Sequence, residues 1–155
     1  MKLLYEKKLL VHFGDADPQG ILYFSKISQW AHELIEEYWA DSKLGWSGWF
    51  QSPEFAVPLR HTEQDFFAPM LVGTELKSQL YVSEISESSV RFKVDFLTSN
   101  NVGEATTPSA QEKIVSSKPI FQEKLAATAQ SVHVFVDRVT FKKISVPPEI
   151  RNILN

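Results

Sequence analysis

Apolar residues recur at spacings of three and four from Phe24 through Ile27, Trp30, Ala31, Leu34 and Ile35 to Tyr38, and that spacing predicts a helix over Ser25–Tyr38 with one buried stripe. Elsewhere the period is two. In VRFKVDFL the residues Val90, Phe92, Val94 and Phe96 share one face of a strand, the clearest alternation in the chain. Strand character also runs over Leu3–Phe13, Ala56–Phe67, Thr74–Ile85 and Val132–Lys142, with Glu87, Ser88 and Ser89 making a hairpin turn. The Asp17–Pro18 pair ends the first strand in a turn before Gly20. GWSGWFQSPEF, after the helix, reads as a covering loop, and VPPEIRNIL as a strand end followed by a short helical turn. One helix and a mostly antiparallel sheet make an α+β fold. The Ser-, Thr- and Ala-rich segment 100–130 reads as an interruption of that sheet.

The chain has 155 residues, the size of one domain with one core. Its apolar runs fall far short of a membrane span. The opening MKLLYEKKLLVHFGDAD breaks its apolar residues with charges and has no small-residue cleavage site, so the expected location is the cytoplasm. With no cysteine, the sequence excludes disulfides, thiolate zinc sites and a cysteine nucleophile, and its four histidines lack a ligand spacing. No metal is expected. A net charge of −3 disfavours nucleic acid as a partner, because phosphate binding normally rests on a positive surface.

Candidate chemistry gathers where Gly14–Phe24, GDADPQGILYF, meets the predicted helix. The first turn of a helix carries unpaired N–H groups that, with the helix dipole, can hold an oxyanion. Asp17 stands a few residues away as a base or nucleophile. Asp15 reads as a brace for the loop. Gly20 serves either as a turn residue or, for want of a side chain, to let a substrate approach the backbone closely, and both uses make the position intolerant of bulk. The rings of Tyr23 and Phe24 are either core or substrate contacts, whereas their backbone N–H groups serve as donors in either case. Glu33, Glu36 and Glu37 read as a solvated face of the helix. His12 and His61 lie in strand context, His61 being the better functional candidate. Trp46, Trp49 and Phe50 either anchor their loop or wall an aromatic pocket. Arg60, Arg138, Lys142 and Lys143 are candidates for the phosphates of a nucleotide-bearing substrate, against the plainer use of charges on a solvated strand edge.

The stretch VHFGDADPQGILYFSKISQWAHELIEEYW resembles the signature of the 4-hydroxybenzoyl-CoA thioesterase family: an aromatic residue, D-x-D, two residues, glycine, then an aliphatic-aromatic pair opening a long helix. PLRHTEQDFFAPMLVGTEL and VHVFVDRVTFKKISVPPEI resemble two later blocks of the same family, in the same order. The resemblance implies a single hotdog-fold domain over residues 1–155, a long central helix wrapped by an antiparallel sheet, with 100–130 as an insertion. It puts Asp17 on the catalytic carboxylate and the Phe24 N–H opposite the thioester carbonyl, with His61 facing a neighbouring subunit's site in a homodimer or homotetramer. Another clade of the fold carries its catalytic glutamate on the helix, which makes Glu33 a substitute candidate. Where some members carry basic residues in the central hairpin, this chain has Ser86, Glu87, Ser88 and Ser89.

The expected activity is hydrolysis of an acyl-CoA thioester with no cofactor beyond the coenzyme A of the substrate. DFFAP (Asp65–Pro69) and the tryptophan loop resemble hydrolases of 1,4-dihydroxy-2-naphthoyl-CoA, which serve quinone synthesis, and of 4-hydroxybenzoyl-CoA, which favours an aromatic acyl group. A short-chain aliphatic thioesterase, a dehydratase and a non-catalytic acyl-CoA or acyl-carrier binding module are the alternatives.

Overall fold

The computed structural model describes residues 1–100 and 122–155. Strand β1 (Lys2–Leu10) is followed by a 3₁₀ turn (Phe13–Asp15), helix α1 (Phe24–Asp41) and the short helix α2 (Gly45–Phe50). Then come β2 (Phe55–Ala56), β3 (Leu59–Phe66), β4 (Glu75–Ile85), β5 (Ser89–Asn100), β6 (Gln122–Val134), β7 (Val136–Asp137) and α3 (Pro148–Leu154). The main sheet is antiparallel in the order β1-β4-β5-β6-β3, and β2 pairs with β7 beside it. None of the described helices is long and apolar enough to cross a membrane.

The helix packs on one face of the sheet through the predicted stripe: Ile27, Trp30, Ala31, Leu34 and Ile35 are buried, joined by Trp39. Beneath it lie the alternating residues Leu76, Leu80 and Val82 of β4 and Val90, Phe92, Val94 and Phe96 of β5, as a period of two requires. Phe24, expected in the stripe, is instead 70% exposed. It begins the helix, before the axis has come down onto the sheet.

The sheet resumes earlier than its polarity suggests. Residues 122–130, expected within an interruption, form most of β6, whose full register with β5 runs to Asn100↔Gln122. Ala126, Ala127 and Ala129 are buried there. A register shift opposite Phe96 and Leu97 lets the consecutive residues Ala126 and Ala127 both turn inward, which hides the alternation. The remaining insertion expected over 101–121 lies outside the described residues. At the other end, Val132–Lys142 is not one strand: β6 stops at Val134, and Asp137 Oδ1 accepts from the N–H of Val139 and of Thr140 to close a turn. The covering loop GWSGWFQSPEF contains α2, and the first strand ends at Leu10.

Candidate active site

The loop from Ala16 to Leu22 folds back on itself. Ala16 and Leu22 form an isolated bridge, the Asp17 N–H donates to the Ile21 carbonyl at 2.8 Å, and the Gly20 N–H donates to the Asp17 carbonyl at 2.9 Å. Gly20 has φ +78°, and a Cβ there would meet nothing within 4 Å. The turn's backbone, rather than crowding, therefore calls for glycine.

Asp17 Oδ1 accepts from the backbone N–H of Gln19 at 2.8 Å and of Ile21 at 3.1 Å. Among the described residues Oδ2 has no partner. A carboxylate held by one oxygen keeps the other for chemistry while losing its rotational freedom. Asp17 borders an open concavity of about 560 Å³ with Phe13, Gly20, Tyr23 and Val72.

Asp15 carries the bracing role expected of it. Its Oδ2 accepts from the His12 N–H at 3.0 Å, and its Oδ1 meets Lys26 Nζ, on the first turn of α1, at 3.0 Å. Its carboxyl is held below the usual range: burial, the largest influence, raises it, and the His12 N–H and Lys26 together outweigh that. The Asp15 carbonyl accepts from the Tyr23 N–H at 2.9 Å. The expected pair of free donors is thus corrected to one. The Tyr23 N–H is engaged, whereas the Phe24 N–H has no partner among the described residues, as the geometry of a helix start leads one to expect.

The aromatic loop also differs from expectation. Trp49 is 1% exposed and stacks on Trp39 with ring centroids 4.4 Å apart, edged by Phe135 at 5.4 Å. It is a core anchor, not a pocket wall. Trp46 stacks on Phe50 nearer the surface, and Phe50 meets His32 edge-on at 5.9 Å. None of the three lines the concavity at Asp17. Of the helix glutamates, Glu37 is half-buried and engaged: it holds Lys7 and Tyr5 of β1. Glu33 accepts from Gln29 and Glu36 faces His32.

Arg60, His61, Arg138, Lys142 and Lys143 are exposed, and topology puts them away from Asp17. Leu59 pairs with His133 at one end of β3, whereas the other end leads through Met70, whose carbonyl accepts from Leu22, to the start of α1. Arg138 lies beside Glu54 and Phe55, past the end of α1. The 18 residues of α1 measure about 27 Å, so Arg138, Lys142 and Lys143 lie past the end of the helix remote from Asp17, whereas Arg60 and His61 lie between Leu59 and Thr62, which stand beside the middle of α1.

His133 was not singled out by the sequence, and its neighbours HVFVD give no sign of burial by an aromatic cluster. Burial first, and the neighbouring His32 second, push its imidazole down to about 4 from 6.5. Between those pH values the unfolded chain binds a proton that the folded chain refuses, so stability falls as the pH drops from 6.5 towards 4. The full loss is on the order of 3 kcal/mol. Urea midpoints at pH 7 and 4.5 are expected to fall further for the wild type than for His133→Asn; equal falls would remove the buried neutral histidine as the cause.

The sequence matches the model of the thioesterase-like superfamily over residues 11–154. It is 30% identical to a 1,4-dihydroxy-2-naphthoyl-CoA hydrolase of Synechocystis over 143 residues, 92% of this chain and 87% of that protein. It is 32% identical to a hydrolase of the same name from Prochlorococcus marinus over 127 residues, 77% and 82% of the two. The fold is similar to the crystal structure of a 1,4-dihydroxy-2-naphthoyl-CoA thioesterase from Synechocystis, with a TM-score of 0.68 and 26% identity, covering 97% of this chain and 94% of that one.

Proposed function

The chain belongs to the thioesterase-like superfamily, and on that premise we propose that it hydrolyses an aromatic acyl-CoA, of the 1,4-dihydroxy-2-naphthoyl or 4-hydroxybenzoyl type, to the free acid and coenzyme A. The observation that carries the proposal is Asp17, one carboxylate oxygen fixed by two backbone N–H groups and the other free, on the loop that leads into the unpartnered Phe24 N–H at the head of α1. The names of the relatives supply the acyl class.

The thioester carbonyl lies at the helix start, where the Phe24 N–H and the helix dipole meet the negative charge that develops on oxygen. Asp17 attacks the carbonyl carbon, giving a mixed anhydride that water opens, or it takes a proton from the water that attacks. Either course releases coenzyme A as the thiol and draws on no metal or redox cofactor. A cytoplasmic place in quinone synthesis belongs to the same proposal. Release of free thiol from a panel of aryl and alkyl acyl-CoA esters tests it: aryl esters are expected to give the higher kcat/KM, and a preference for butyryl or hexanoyl esters would replace the aromatic assignment with the aliphatic one.

The active unit is proposed to be a homodimer or homotetramer with sites at the subunit interface. One feature supports this. Strand β3 is an edge strand exposed along nearly its whole length, including Leu59 and Phe66, and an open edge of that kind invites pairing. Light scattering at micromolar concentration is expected to give at least twice the monomer mass, and a fully active monomer would rule the interface site out.

A further inference from the structure

From the end of β7 the chain turns back on itself through residues 137–143, DRVTFKK. The turn is held at many points. Asp137 donates its N–H to the Lys142 carbonyl at 2.8 Å and accepts on its own carbonyl from the Phe141 N–H at 2.9 Å, and Val136 bridges to Lys143. Asp137 Oδ1, which accepts from the Val139 and Thr140 N–H groups, also accepts from Thr140 Oγ1 at 2.9 Å. This fixed turn presents apolar side chains to water. Val139 is 87% and Phe141 68% exposed, and Phe141 has φ +55°, a left-handed conformation that a bulky residue rarely adopts. Core packing does not repay that conformation, because the ring lies in solvent, and uncompensated strain of this kind gathers where a side chain is held out for contact.

Charge accompanies the two apolar side chains. Arg138, Lys142 and Lys143 are exposed, and none of them forms an ion pair among the described residues. Asp137, the carboxylate of the turn, is engaged by the turn itself. On a chain of net charge −3, the run 138–143 is therefore a local concentration of positive charge, and it lies past the end of α1 remote from Asp17.

Exposed apolar side chains flanked by cations suit an anionic bilayer, whose headgroups meet the charges while the apolar groups enter the acyl boundary. Other occupants fit less well. A second copy docked about a two-fold axis would set this patch against itself, cation facing cation. A stable protein interface takes roughly 20–30 residues a side, whereas this turn offers only residues 138–143. We infer that the turn docks the protein reversibly on an anionic lipid surface, with Arg138, Lys142 and Lys143 at the level of the phosphates and Val139 and Phe141 between the headgroups. The contact is peripheral, and it leaves the candidate site at the head of α1 facing water.

The test is co-sedimentation of the full chain with vesicles of phosphatidylcholine, alone or with about one-third phosphatidylserine. The protein is expected to bind the mixed vesicles only, and to be released as salt rises from about 0.1 M to about 0.5 M and screens the charges. Lys142→Glu combined with Lys143→Glu is expected to weaken binding at least about twentyfold, since each basic residue near such a surface is worth roughly fivefold. Phe141→Asn removes the ring while keeping a residue that tolerates the left-handed backbone. It is expected to weaken binding several-fold and to leave the salt dependence in place, with an unchanged thermal melt. Wild-type protein that stays in solution beside the mixed vesicles overturns the proposal, and its retention on immobilised polyglutamate would then assign the cations to an acidic polypeptide. Equal binding to both kinds of vesicle, or wild-type binding by the double glutamate variant, overturns it as well. Unchanged binding by Phe141→Asn removes the ring from the contact.

Discussion

Asp17→Asn is expected to cut kcat by at least about a hundredfold with little change in thermal stability. The asparagine retains an oxygen for the Gln19 and Ile21 N–H groups that Asp17 Oδ1 now accepts, so the loop keeps its shape while the free oxygen is replaced by an uncharged amide. Asp17→Ala removes both restraint and charge, and is expected to lose activity together with order in the loop. The contrast between the two is diagnostic. Near-normal turnover in a well-folded Asn variant would move the chemistry to another group, Glu33 being the first to try.

For stability the largest single effect is expected at Trp49. It sits between Trp39, which it overlaps face to face, and the edges of Phe92, Phe135 and His133, so truncation opens a cavity on several sides at once. Trp49→Ala is expected to cost roughly 3–5 kcal/mol, a fall in Tm on the order of 10 °C. Trp46→Ala, at a position 39% exposed, is expected to cost about 1 kcal/mol or less. A Trp49→Ala melt within a degree or two of wild type would contradict the anchor role described here.

These two tryptophans also show where sequence reasoning stops. Spacing and composition mark them both as aromatic members of one glycine-containing loop. Which one faces inward depends on α2 forming at Gly45–Phe50 and on the part of the sheet it meets, neither of which is a local property. The stripe of α1 and the alternation of β5 were legible because each element buries one face, which leaves a period in the sequence. Strand β6 was illegible for the opposite reason: it runs close beneath the helix, so its inward positions are the alanines Ala126, Ala127 and Ala129, and its bulge breaks the period. At the candidate site, Asp17, Asp15 and Gly20 could be picked out because turn and cap chemistry is local. His133 could not, because burial is what made it notable. The engagement of the Tyr23 N–H by Asp15 was equally hidden, since backbone donors look alike in a sequence.

Helix α1 joins the head of the candidate site to the middle of the core: the element that begins at the exposed Phe24 is the one whose Ile27, Trp30, Leu34 and Ile35 are buried against the sheet. A core substitution that tilts this rod also re-aims the donor at its tip, so packing and turnover are expected to decline together along α1 even where the altered side chain is far from Asp17.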